Sequence, residues 1–222
     1  VISDVLSIER TFGLDIFTII LCSFIFGLSA YVGIQKGIKR LSNINVSIVI
    51  VFLLIVLILG PSQYISSNSI DSVSFMLKNF VEMSLTTGTE ISINWSVFYW
   101  AWWRALAPMI GTFIVNVSNN KSLRQIIFGT IFIGSFGCIF SMLVLSNLSI
   151  SLFESGDIDG PNLIENNLIT RESLVVETLS SLNYSNILLI VFSVILIIFL
   201  CTTYDSATYV LASASMKKSS ME

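Results

Sequence analysis

The sequence predicts an all-α integral membrane protein, and three observations carry that prediction. The chain is 54% hydrophobic and only 11% charged, where a soluble domain carries about 25% charged residues. Its mean hydropathy is +0.87. Five apolar runs each reach the roughly 20 residues that a helix needs to cross about 30 Å of hydrocarbon, and the charge is swept into the segments between them. Lipid offers no water to backbone groups, so each run must be helical. The spans are expected at 15–34, 45–65, 95–115, 125–147 and 184–212, in one unit covering 1–222.

The first span follows a stretch with Asp4, Glu9 and Asp15. That stretch lacks the basic region of a secretory signal. The connection 36–44 carries Lys36, Lys39 and Arg40. Gly60-Pro61 ends the second span, because proline cannot continue a helix it has not begun. Residues 66–94 form an outer loop. Within it, 71–90 places Val73, Phe75, Met76, Phe80, Val81 and Met83 at helical spacing. That pattern predicts an amphipathic helix lying along the interface.

The third span holds all the tryptophans and ends at the connection 116–124, which carries Lys121 and Arg124. After the fourth span comes an outer loop, 148–183, with an exposed turn at 154–161 and a short surface helix expected within 163–183. The fifth span is rich in β-branched residues, which disfavour helix only weakly and are overridden in lipid. Lys217 and Lys218 follow it.

The basic connections alternate with acidic loops, so the positive-inside rule gives one consistent orientation. The N-terminus and the 62–94 and 148–183 loops face out. The 36–44 and 116–124 connections and the C-terminus face in. The net charge of −3 averages two sides of opposite sign. An odd number of spans, no initiator Met and an end at KKSSME lead us to expect the middle of a larger, transporter-sized protein.

Absent chemistry narrows the function. The chain has no histidine, which excludes His-based catalysis and His metal sites. Cys22, Cys138 and Cys201 fall in three different spans, matching neither a CxxC site nor an extracellular disulfide framework. No GxGxxG or Walker pattern couples the chain to a nucleotide. Neither an enzyme nor a nucleic-acid partner is expected. Secondary transport or a channel remains, with the lipid bilayer of the plasma (bacterial inner) membrane as its surroundings.

Three features carry chemistry. The first is the aromatic run Trp95, Phe98, Tyr99, Trp100, Trp102 and Trp103. Helical spacing puts Phe98, Trp102 and Leu106 on one face, Tyr99 and Trp103 on the adjacent one, and Trp100 with Arg104 on the next. Helix packing with an interfacial aromatic belt explains rings near an interface. Rings that continue into the hydrocarbon point instead to a cation–π cage for a quaternary ammonium group.

The second feature is Arg104. An arginine at mid-span must face a cavity or a partner. It serves as a structural pair, with Asp205 a candidate, or binds a substrate carboxylate, or stands in for a coupling cation. The third is Phe199–Thr208, where Thr202, Thr203, Asp205, Ser206 and Thr208 bring oxygen atoms into an apolar span. Those hydroxyls either bond back to their own helix or serve an ion site or gate.

WSVFYWAWW followed by P-x-x-G-x-F (95–113) resembles the tryptophan-rich motif of the betaine/choline/carnitine transporter family. GIQKGIKRLSNIN (33–45), VNVSNNKSLRQ (115–125) and FLCTTYDS (199–206) resemble further segments of that family, in its order and at similar separations. The resemblance implies part of a leucine-transporter-type fold of two inverted five-span repeats, often trimeric, with this chain corresponding to its sixth to tenth spans. It implies secondary transport of a quaternary-ammonium or sulfonium osmolyte, such as glycine betaine, choline, carnitine or dimethylsulfoniopropionate, by Na+ symport or exchange.

Carried across, Trp103 is the principal cation–π ligand, Trp102 and Phe98 line the path, and Trp100 lies on its outer side. Phe199, Thr202 and Thr203 match residues of a sodium site. Leu106, Arg104 and Met109 depart from aromatic or apolar positions of the family, and Asn116, Asn119 and Asn120 from its basic and glycine positions. The rival reading is a membrane osmolyte sensor that binds without transporting; a channel is a second.

Overall fold

The computed structural model describes residues 3, 11–32, 34–85, 92–118, 120–166 and 169–215. The expectations for residues 4–10, Glu90, Asn119, Lys217 and Lys218 lie outside them. Every regular element among the described residues is helical. Helix α1 spans Phe12–Val32 and α2 spans Ile34–Leu59. The 36–44 connection is therefore helical. It contains no proline, and its single glycine costs only about 1 kcal/mol against a long helix.

Gly60-Pro61 then breaks the chain, and α3 (Ser62–Lys78) and α4 (Phe80–Leu85) follow. The expected amphipathic helix thus starts earlier, directly after the proline. A π-helical turn, Ser92–Val97, leads into α5 (Phe98–Val117). Helix α6 runs through Leu123–Ser155 with a π-helical stretch at Gly129–Ile133. Two shorter helices, α7 (Gly160–Glu165) and α8 (Arg171–Ser180), precede the long α9 (Ser185–Ser215).

By length and apolarity, Lys39–Leu59, Leu123–Ser155 and Ser185–Ala212 are sufficient to cross a membrane. Phe12–Ile25 in α1 is apolar but shorter. Helix α5 has 20 residues, but its tryptophans and Arg104 dilute its apolar character.

The core sits at one end of the bundle. Phe52, Leu53 and Val56 of α2 meet Ile65 of α3, Val144 and Leu148 of α6, Val176 and Leu179 of α8, and Leu188, Leu189 and Ile195 of α9. Phe52 stacks on Phe192 with ring centroids 5.8 Å apart. Helix α8 is thus no surface helix: its Val176, Thr178 and Leu179 are buried because α6 and α9 close over them. At the other end, α1 packs on α2 and α9, and the Cys201 thiol donates to the Cys22 carbonyl at 3.7 Å.

Two devices hold the corner where α2, α3 and α6 meet. Gly60 sits where α2, α3 and α6 converge. A Cβ there would meet the Val56 carbonyl oxygen at 3.0 Å and methyl carbons of Ile65 and Leu148 at 3.3 Å. Gly60→Ala is expected to cost about 1–3 kcal/mol through overpacking, read as a lower unfolding temperature in detergent.

Asn147 of α6 forms the second device. Its side chain accepts from Asn68 Nδ2 at 2.9 Å and donates to Ser69 Oγ at 3.0 Å. This partly buried polar bridge joins α3 to α6 across 79 residues of sequence. Asn147→Leu strands both partners, and about 1–3 kcal/mol of destabilisation is expected in the same thermal assay. Nearby, partial desolvation and then the neighbouring Glu154 carboxylate raise the Tyr64 hydroxyl pKa above the ordinary 10.0.

The exposed turn at 154–161 forms as the sequence predicts. Gly156, at φ +81, caps α6 in the left-handed region that glycine enters without penalty, and Asp159 caps α7 by accepting from the Asn162 amide.

Candidate functional site: an aromatic and hydroxyl-lined cleft

The core uses the first half of α9 and the last half of α2. The remaining halves, together with α5, enclose a cleft of about 1110 Å3. Its walls come from three distant stretches of sequence. Helix α5 contributes Tyr99, Trp102 and Trp103, then Leu106, Met109 and Phe113 on successive turns. Helix α9 contributes Phe199, Thr202, Thr203 and Ser206. The start of α2 contributes Lys39, Ser42 and Asn43, and Lys121 arrives from the turn after α5.

The aromatic residues hold one another. Trp102 lies nearly parallel to Tyr99 at 6.3 Å and edge-on to Phe98 at 5.6 Å. Trp95 stacks on Tyr99 at 5.8 Å. Such ring pairs contribute about 0.5–1.5 kcal/mol beyond their buried area. Phe98 therefore buttresses Trp102 from outside the lining. Trp103 stands apart from these pairs and lines the cleft with its ring 58% exposed. Trp100 is 70% exposed and lies off the lining.

Arg104 is also exposed and off the lining, whereas Asp205 is buried on α9. The structure does not bring those two into one site. Pro108, inside α5, has no amide hydrogen and leaves the Arg104 carbonyl without its usual helical donor.

On α9 the hydroxyls of Thr202 and Thr203 both donate to the Phe199 carbonyl, each at 2.9 Å, and Ser206 donates to the Thr202 carbonyl at 2.8 Å. The back-bonded arrangement is therefore the one adopted. It occupies the hydroxyl hydrogens and leaves oxygen lone pairs free to accept. The Phe199 carbonyl already serves two hydroxyl donors. Among the described residues no group of three acidic, cysteine or histidine side chains could hold a metal. This wall thus offers a hard cation neutral oxygens only, the ligand type that alkali and alkaline-earth ions accept.

Lys121 owes its place to a tight turn. Its amide bonds the Ser118 carbonyl at 3.1 Å. Asn120 adopts φ 64, a left-handed conformation that asparagine tolerates better than most residues. Ser122 and Gln125 close a reciprocal capping box that starts α6.

Sequence reasoning singled out Tyr99, Trp102, Trp103, Phe199, Thr202 and Thr203, and the fold gathers these in one cleft. It read Lys39 and Lys121 only as inner-side charges. No spacing signal joins residues from different helices, so their common wall was not legible.

Comparison with known proteins adds a family. The model of the betaine/carnitine/choline family transporters matches residues 1–222. A carnitine transporter of Acinetobacter baumannii is 32% identical over 217 residues, covering 96% of this chain and 39% of its own length. The glycine betaine transporter OpuD of Bacillus subtilis is 30% identical over 210 residues, covering 92% of this chain and 40% of its own. The betaine/ectoine transporter LcoP of Corynebacterium glutamicum is 29% identical over 221 residues, covering 97% and 34%. The chain thus spans about two fifths of the length of the curated relatives it matches.

Proposed function

The chain belongs to the betaine/carnitine/choline transporter family, and on that premise we propose that it supplies one wall of the substrate site of a secondary osmolyte carrier. Its substrate is a quaternary-ammonium or sulfonium compound of the glycine betaine, choline or carnitine kind. The observation that carries this reading is the shared cleft of Trp102 and Trp103 with Thr202 and Thr203. A permanent cation cannot be neutralised by proton loss. It is held by the negative faces of aromatic rings, at about 0.5–2 kcal/mol per ring.

As in the family, the chain crosses the membrane five times and forms part of a leucine-transporter-type inverted-repeat bundle. Substrate binds near mid-membrane between repeats, and the protein assembles as a trimer. Na+ is the coupling ion, met on this wall by the Thr202 and Thr203 oxygens. Arg104 is the candidate substitute for that ion should transport proceed by exchange. Helix α9 supports both its functions by carrying core residues at one end and cleft residues at the other.

The test is uptake of labelled glycine betaine into proteoliposomes containing the full-length protein, with and without external Na+. Accumulation that needs Na+ supports symport. Accumulation without Na+ moves coupling to exchange and to Arg104. Binding without accumulation replaces the carrier with an osmolyte sensor.

A further inference from the structure

Resting on the transport reading above, we propose that Lys39 and Lys121 form a charge filter in the lining of the cleft, admitting zwitterionic osmolytes in preference to cationic ones. The two lysines come from separate elements, the start of α2 and the turn after α5. Ser42 and Asn43 accompany Lys39. Among the described residues, no acid lines the cleft. Asp205, on the same stretch of α9 as Ser206, is buried and off the lining. The described charge facing the cleft is therefore positive.

The filter is distinct from the aromatic site. From Trp103 to Phe113 the α5 axis advances about 15 Å at the helical rise per residue, and Lys121 lies beyond Phe113. One small osmolyte cannot touch the rings and both ammonium groups at once. The lysines act instead on a substrate entering or leaving the aromatic end. A choline-like cation must climb their repulsion. A betaine-like zwitterion has no net charge and can pass with its carboxylate turned toward them. Rings of like-charged side chains set ionic selectivity in pores by the same physics.

The experiment compares initial uptake of labelled choline and labelled glycine betaine by the full-length protein in proteoliposomes. In Lys39→Gln/Lys121→Gln, the ratio of choline to glycine betaine uptake is expected to rise about three- to tenfold for charges acting across a partly aqueous cleft. Lys39→Arg/Lys121→Arg, which keeps both charges, is expected to retain the original ratio. High salt should narrow the difference through screening. A purely structural role would lower both rates together and leave the ratio alone.

An unchanged ratio in the glutamine variant, with uptake still sensitive to Trp103→Leu, overturns the filter and leaves the transport reading intact. Uptake of neither substrate by the unmodified protein overturns both. Should the double variant fail to insert, the single Lys121→Gln variant on its exposed turn is expected to show a smaller rise, and no rise there overturns the filter.

Discussion

Trp103→Leu is expected to weaken glycine betaine affinity by about ten- to thirtyfold. Trp103 lines the cleft, and Trp102, Tyr99 and Phe98 brace one another rather than Trp103. Leucine restores apolar volume but removes the ring quadrupole. A desolvated cation–π contact contributes about 2 kcal/mol, and each 1.4 kcal/mol is a factor of ten in affinity. Trp103→Phe keeps a weaker π face and is expected to lose only about threefold. Phe132→Leu, on an exposed face of α6 away from the cleft, serves as the control and should stay near the unmodified value. Equilibrium binding or half-saturation of uptake reads all three. Equal losses in Trp103→Leu and Trp103→Phe would argue for packing in place of cation recognition.

The second large effect is expected at α9. Thr202→Val with Thr203→Val removes two oxygen atoms while nearly conserving volume. Both hydroxyls bond to the helix's own Phe199 carbonyl, so the helix keeps its backbone ladder without them. What is lost is the pair of lone-pair donors facing the cleft. Interactions of a polar group with a charge contribute about 1.5–3 kcal/mol, and the Na+ half-saturation for uptake is expected to rise about tenfold or more. Glycine betaine affinity at saturating Na+ should change little. Loss of substrate affinity with unaltered Na+ dependence would assign these threonines to the substrate path.

Much of the architecture was legible because lipid simplifies the rules. The break expected at Gly60-Pro61 is where α2 ends, at Leu59, whereas α6 runs to Ser155, past the end expected at 147. Other boundaries moved. The cationic connection 36–44 proved to be the first turns of α2, since lysines do not stop a helix. The segment 171–180 became a core helix, since its buried Val176 and Leu179 are covered by α6 and α9, a packing that no spacing within the segment reports. The Asn68–Asn147–Ser69 bridge had no signal at all, because a polar contact between two helices has no period along either.

By itself, then, the sequence determined the helical class, the membrane setting, the aromatic cluster and the hydroxyl motif, all of which depend on residue type and spacing along one helix. The tertiary structure alone decided which of these residues face one another. It placed Trp102 and Trp103 in one cleft with Thr202 and Thr203, turned Trp100 and Arg104 off the lining, and added Lys39 and Lys121 to it. The physical reason is that helical periodicity sets directions around a single axis. The rotation of one axis against another follows from packing at the far end of the bundle, where Phe52, Leu148 and Leu179 lock α2, α6 and α8 onto α9.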